Sequence, residues 1–336
     1  MKRNLLAILC CPVCAGPFEL HESAETDGEV VSGRLVCQTG QHAYPIAQGV
    51  PRFVGSENYA SNFGFQWNQF RRTQLDSCSG LSISRDRLLR QTGWSAKDFA
   101  GKTVLDVGCG TGRFAEVALS FGANVVALDY SSAVDACWDN LKANPRLNVV
   151  QADIYSLPIR RESFDLVYCL GVLQHTPDVK QSFASLPPLV TEGGLLVVDS
   201  YLWSLRSLCH PRFLLRVVTK RMRPEKLFPL VQALAPPLLK LSRLLDRIPG
   251  VGRYLKRLIP VANYEGVYPL TERQLVEWAT LDTFDWLSPR YDQPQSPAIL
   301  QQWFEEAGMK DIEVFLSDHL TARGWCQRPV APIPTR

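Results

Sequence analysis

The chain has 336 residues, 46% of them hydrophobic and 21% charged, which is enough for one large core and a small companion unit. No apolar stretch approaches the roughly 20 residues that cross a bilayer, so an integral membrane helix is excluded. The net charge of +3 is unremarkable as a total and hides a strong asymmetry between segments. Met1-Lys2-Arg3 followed by Leu5-Leu6-Ala7-Ile8-Leu9-Cys10 imitates a lipoprotein signal. Its apolar run is shorter than the roughly 7–15 residues of a signal core, and it runs straight into Cys11. A cytoplasmic protein is therefore expected, its remaining cysteines reduced and mostly buried.

Residues 1–54 are rich in Cys, Gly and turn formers and read as a separate small unit. Cys11 and Cys14 form a Cys-Pro-x-Cys knuckle, and Cys37 and His42 follow a gap with strand-like alternation at 29–31 and 34–36. Three thiolates and an imidazole are a tetrahedral set for structural Zn2+. A unit with so few large apolar side chains gains most from such a staple. A metal-free remnant of the same unit is the other reading. Cys10 reads as a bystander.

Residues 55–100 read as a helical cap leading into the core, with the aromatic-rich stretch from Tyr59 to Phe70 as a candidate lid. Between 101 and 200, compact Val/Leu/Ile runs at 103–107, 124–128, 148–151, 164–169 and 195–199 alternate with helical patterns. That alternation predicts an α/β fold, a parallel sheet wound with helices. The first run enters Gly108-Cys109-Gly110-Thr111-Gly112 and opens a helix. A backbone that must turn tightly and admit a ligand needs glycine there. Asp129 comes twenty-one positions after Gly108, where a carboxylate can accept both hydroxyls of a ribose. Asp106 precedes the turn inside its strand and suits an ammonium group better than a pyrophosphate. Asp153, in Gln151-Ala152-Asp153-Ile154, ends the third strand, where an acid can accept an adenine amino group.

These pieces (VLDVGCGTGRF, ALDYS, QADIYSLP, SFDLVYCLGVLQHTPD and EGGLLVVDS) resemble the class I S-adenosylmethionine-dependent methyltransferases from Val104 to Asp199. The resemblance implies a doubly wound, mostly parallel seven-stranded Rossmann-like sheet over 101–327 and S-adenosylmethionine as cofactor. It also implies that Asp106 and the backbone of Gly108, Cys109, Gly110 and Gly112 hold the methionine part. Asp129 with Tyr130 would hold the ribose, Asp153 and Ile154 the adenine, and Leu170 and Gly171 would line the donor near its sulfonium. The N-terminal knuckles, with the following Tyr44-Pro45-Ile46-Ala47-Gln48-Gly49-Val50-Pro51, resemble the activator-like zinc ribbons fused to several bacterial methyltransferases. Gly40 stands where many members carry a fourth cysteine. His42 takes that role here, one residue further on than in the related ribosomal RNA guanine methyltransferases.

His175 lies just past the fourth core strand, at the edge where ligands bind. It reads either as a general base for an attacking hydroxyl or as a polar loop residue that shapes the pocket. The segment lacks the Asn/Asp-Pro-Pro-Tyr motif of adenine N6 methylation, and Cys169 reads as a core cysteine rather than a cytosine C5 nucleophile. The stretch 282–292 mixes aromatics with charges and reads as a loop suited to a polar ligand. Residues 201–260 hold 13 Lys/Arg against 2 Asp/Glu, a net of +11, which leaves −8 for the rest of the chain. Leucines recur there at helical spacing, and Pro236, Pro237, Pro249 and Gly250 are expected to divide the insertion (201–296) into short helices. Such a basic amphipathic surface suits an anionic membrane or a lipid-linked substrate, and RNA less well because stacking aromatics are few. A helix at 298–307 stopped by Gly308 and a hairpin of 312–316 with 320–324 close the chain. The reading is a methyltransferase for a small or lipid-linked metabolite, with oxygen preferred as acceptor. An RNA methyltransferase and a non-catalytic scaffold are the alternatives.

Overall fold

The computed structural model describes residues 1–55, 58–204 and 210–327. An N-terminal antiparallel sheet consists of β1 (Phe18–Thr26), β2 (Glu29–Cys37), β3 (Ala43–Ala47) and β4 (Val50–Pro51), hydrogen-bonded in that order. The two short runs expected at 29–31 and 34–36 are one strand, and β1 is additional. This unit does not close a core of its own. Met1, Leu5, Leu9 and Leu35 join one buried cluster with Val126, Val150 and Ile159 of the next layer. The main chain stitches the same seam: the Arg160 N–H donates to Ile8 O at 2.8 Å and the Phe53 N–H to Gln151 O at 2.8 Å.

The second sheet has seven strands in the order β10-β11-β9-β8-β5-β6-β7. They are β5 (Thr103–Val107), β6 (Asn124–Asp129), β7 (Leu147–Gln151), β8 (Phe164–Cys169), β9 (Val190–Ser200), β10 (Met309–Leu316) and β11 (Leu320–Cys326). Only β11 runs against its neighbours, because it returns as the hairpin partner of β10. Val104, Leu105 and Val107 of β5 are buried, as expected for a central strand covered on both faces. The chain adds β6 and β7 on one side of β5 and β8 and β9 on the other. The order reverses at β5 and β8, and a crevice opens beyond their carboxyl ends.

Among the described residues the helices of eight residues or more are α1 (Ser61–Gln69), α2 (Ile83–Thr92), α3 (Arg113–Ser120), α4 (Ala133–Leu141), α5 (Pro211–Thr219), α6 (Pro224–Asp246), α7 (Glu272–Leu287) and α8 (Pro297–Glu306). Two expectations are corrected. The stretch 282–292 is helical as far as Leu287, because α7 starts on a Thr271/Gln274 capping box and keeps burying side chains through Phe284 and Leu287. Pro236 and Pro237 do not break the insertion but lie inside the 23-residue α6. An interior proline costs about 3 kcal/mol. Leu227, Val231, Ala235 and Leu239, spaced by four, keep one face buried on the α7 cluster and offset that loss. Among the described residues no helix is long and apolar enough to cross a membrane.

Candidate active site and a Cys/His cluster

A cavity of about 590 Å³ fills the crevice at the β5/β8 switch point. At one end β5 runs into the glycine turn. Gly108 has φ +78°, and a Cβ there would come within 2.2 Å of a Val172 methyl, so neither backbone nor space admits another residue. The Gly110 N–H donates to Asp129 Oδ2 at 3.0 Å, and Ser131 donates its N–H and hydroxyl to Oδ1 at 2.8 and 2.7 Å. These bonds fix the Asp129 carboxylate on the wall and leave a lone pair on Oδ2 for a ligand. Burial raises the Asp129 pKa, and the Ser131 bonds oppose that shift.

Gly108, Cys109, Gly110, Asp129, Tyr130, Ile154, Leu170, Gly171 and His175 all line this cavity. Asp106, Gly112 and Asp153 do not reach its wall. Asp106 is enclosed within β5, its Oδ2 has no hydrogen-bond partner, and burial followed by the charge of Asp129 raises its pKa to about 8. Gly112 caps α3 with φ +88° and faces α4, where a Cβ would meet Leu141 at 2.6 Å. Asp153 is half-buried, with Oδ1 accepting the Tyr155 N–H at 3.0 Å, while its neighbours Ala152 and Ile154 form the wall.

His175 lines the cavity just past β8. Its Nδ1 lies 3.0 Å from the Tyr291 carbonyl oxygen. A carbonyl only accepts, so Nδ1 carries the hydrogen, and Nε2 is the nitrogen left to act as a base. Phe63 and Tyr201 pack on the ring, with centroids 5.1 and 5.5 Å away. The candidate lid covers this region: Tyr59 packs on Tyr130 at 4.8 Å, and Trp67 lies over Gly110. Two amides tie α1 to the end of α7, Asn62 to Ser288 Oγ and Gln66 to Asp285 Oδ1, each at 3.2 Å.

Much of the remaining cavity lining is polar and aromatic. Asp282 and Asp285 of α7 line it, both raised in pKa by burial, Asp282 to about 7. The Tyr264 hydroxyl donates to Asp282. Arg113, which follows the glycine turn directly, donates to Ser84 Oγ at 3.1 Å and Gln74 Oε1 at 2.5 Å, and burial lowers its pKa to about 10. Arg87 pairs with the buried Asp199 at 3.0 Å, and Asp199 also accepts the Gly171 N–H, which anchors the loop after β8. Sequence reasoning singled out Asp282, Asp285 and Trp286 but missed Arg87, Arg113, Tyr201, Tyr264, Tyr268 and His319. Only Arg113 carried a signal, its place in the turn motif. The others reach the cavity through tertiary packing.

In the N-terminal unit, ligand atoms of Cys11, Cys14, Cys37 and His42 all lie within 4.8 Å of one another. Cys11 Sγ is 3.4 Å from His42 Nδ1 and Cys14 Sγ is 3.3 Å from Cys37 Sγ. A tetrahedron with zinc–ligand bonds of about 2.0–2.3 Å has edges of about 3.5–3.8 Å, so the four residues fit that ion. A backbone N–H from Gly40 lowers the Cys37 pKa to about 6 and favours the thiolate. Gly40 itself makes the room: a Cβ there would lie 2.5 Å from His42 Cε1 and 3.2 Å from Cys14 Sγ. The missing fourth cysteine is thus the space that the imidazole occupies.

Comparison with known proteins follows the same division. Residues 105–198 match the family model described as a methyltransferase domain, and residues 2–49 that described as Trm112p-like protein. Curated relatives include the ubiquinone biosynthesis O-methyltransferase of Coxiella burnetii, 34% identical over 98 residues, covering 29% of this chain and 42% of the relative. The demethylmenaquinone methyltransferase of Thermobifida fusca is 34% identical over 125 residues, covering 36% of this chain and 53% of the relative. The chain thus spans about half the length, or less, of these curated relatives. A solved complex of the Haloferax volcanii Trm112 methyltransferase activator with a methyltransferase aligns over 82% of this chain and 100% of that chain. Its identity is 12% and its TM-score 0.46. Residues 105–198 thus carry a methyltransferase domain, within the seven-stranded sheet, behind a Trm112p-like N-terminal domain at 2–49.

Proposed function

We propose that the protein is an S-adenosylmethionine-dependent methyltransferase for a small or lipid-linked metabolite, with a hydroxyl oxygen as the preferred acceptor. One observation carries the reading: a single cavity is lined by a glycine turn, an oriented Asp129, His175 and a polar set that includes Asp282 and Asp285. Its volume lies within the range of about 300–1,000 Å³ typical of small-molecule sites. Asp129 fits the ribose, Ile154 and Leu170 supply apolar walls, and the open glycine turn admits the methionine part. When bound, the cofactor would supply a methyl group activated on a sulfonium.

The chain's own contribution is alignment, exclusion of water and removal of one proton. His175 Nε2 takes the proton of the acceptor hydroxyl while Nδ1–H stays on the Tyr291 carbonyl, which holds the ring in one orientation. Tyr59, Phe63 and Trp67 close the cavity over the donor end. Asp282, Asp285 and Tyr264 face the acceptor, and their carboxyl and hydroxyl groups suit a polar ring with several hydroxyls. The name of the Coxiella burnetii relative supports oxygen as acceptor. The four-residue cluster holds a structural zinc in this reading, with no part in the transfer.

Calorimetric titration of S-adenosylmethionine into wild type and Asp129→Ala tests the assignment. Binding by the wild type and a loss of about tenfold or more in the variant are expected, because the ribose loses its charged hydrogen-bond acceptor on the cavity wall. A folded wild type that does not bind the donor overturns the enzyme reading and leaves the scaffold in front.

A further inference from the structure

The insertion is built with its polarity reversed. In α5, Leu214 is 79% exposed and Val218 65%, and Val217 is exposed beside them, while Arg216 is buried. Arg216 donates to the carbonyl oxygens of Trp286 and Pro289, each at 2.9 Å, and its Nε lies 3.8 Å from Asp292 Oδ2. These bonds lock the helix with its cation inward and its apolar side chains outward. A helix that faces only water has the opposite arrangement.

The longer α6 adds a second stripe. Its buried face runs through Leu227, Val231, Ala235 and Leu239, yet Leu230, Leu234, Leu241 and Leu244 are exposed. At about 100° per residue these four leucines fall together, roughly a third of a turn from the buried face. Among the described residues, most of the exposed large apolar side chains lie between Trp203 and Val267. Lys220, Arg221, Arg223, Lys226, Lys240 and Arg247 are exposed along the same elements. The segment's +11 net charge has almost no acidic counterweight of its own.

We propose that the outer surface of α5, α6 and the following turn, residues 211–258, docks on an anionic lipid bilayer. Exposed apolar side chains interleaved with cations, with Glu225 and Asp246 the segment's own acids, match the acyl boundary and the phosphate layer of such a membrane together. Among the described residues no helix is both long and apolar enough to cross, so the proposed contact is interfacial. Arg212 of the same α5 stands in the cavity wall, against Trp286 at 5.3 Å. Docking therefore sets the acceptor chamber beside the lipid surface, a consequence that rests on the proposed function.

Flotation of the full chain with phosphatidylglycerol/phosphatidylcholine vesicles, against phosphatidylcholine alone and against a structured RNA in a shift assay, tests this. Binding to the anionic vesicles that weakens with salt is expected. Leu214→Ser with Val218→Ser should lower it about tenfold, and Lys226→Glu with Lys240→Glu should remove most of its salt dependence. Absence of flotation at low salt, equal flotation with phosphatidylcholine alone, an unaffected apolar double variant, or binding to RNA in place of vesicles would overturn the proposal. Donor titration on the same samples separates the two readings. Vesicle binding lost with donor binding kept confines a failure to this surface, and donor binding absent from vesicle-bound protein confines it to the enzyme assignment.

Discussion

Replacing Asp106 by asparagine changes a single proton equilibrium in the centre of the sheet. The folded chain holds this carboxyl at about 8, first through burial and then through the Asp129 charge, against 3.8 for the ordinary group. A pKa raised by folding means that the folded state keeps a proton the unfolded state gives up. The stabilisation is fully present below the unfolded value and is lost as pH rises through the folded one. Over that window the loss is about 3 kcal/mol between pH 5 and pH 7. Asparagine matches the shape and does not titrate, so Asp106→Asn lacks this slope. Urea unfolding of both proteins at several pH values measures it. The stability difference should move by about 2–3 kcal/mol in the variant's favour from pH 5 to pH 7, whatever constant offset the amide introduces. Groups such as Asp282 titrate in both proteins and cancel. Parallel pH profiles would refute the claim that Asp106 is protonated in the folded chain.

Three further outcomes are expected. His175→Gln should lower turnover by about 10²–10⁴-fold with donor affinity unchanged; near-normal turnover in steady-state kinetics removes the base role. Gly40→Ala, which places a Cβ 2.5 Å from the His42 ring, should reduce bound zinc as measured by metal analysis, and full occupancy in that variant would contradict the ligand assignment. Arg216→Met should cost about 3–5 kcal/mol in urea titrations, because Asp292 is left as an uncompensated buried charge; a cost below about 1 kcal/mol would show that α5 is not held by its inward cation.

The glycine turn and Asp129 were legible as parts of a cavity wall because their information is local. A strand, a glycine turn and an acid at the end of the next strand follow one another within a few dozen residues, and the fold places Gly108, Gly110, Asp129 and Ile154 on one wall. The rest of the lining was legible only in part: the 282–292 stretch was singled out, but Arg87, Tyr201, Tyr264 and His319 come from separated segments that only tertiary packing brings together. Asp106 was assigned to the ligand from its position before the turn, yet its side chain is enclosed in the sheet. Pro236 and Pro237 misled for a related reason: a local rule for ending helices lost to the burial of Leu227, Val231, Ala235 and Leu239. Gly40 read as a missing ligand, and only the distance to the His42 ring shows why glycine is needed there.

The contact between Arg52 and Gln151 has a consequence for the solution behaviour of the chain. Arg52 bridges Gln151 in parallel, the Phe53 N–H bonds the Gln151 carbonyl, and β7 is the last strand on that side of the sheet. An unpaired edge strand is a template on which another chain can add. The N-terminal domain covers the end of that edge, and Arg52 pins it with a 2.6 Å ion pair to Asp135. A chain cut before residue 55 would not be a smaller, independent methyltransferase domain. It would be a seven-stranded sheet with an open side and a bared apolar seam at Val126 and Val150, and it would be expected to self-associate.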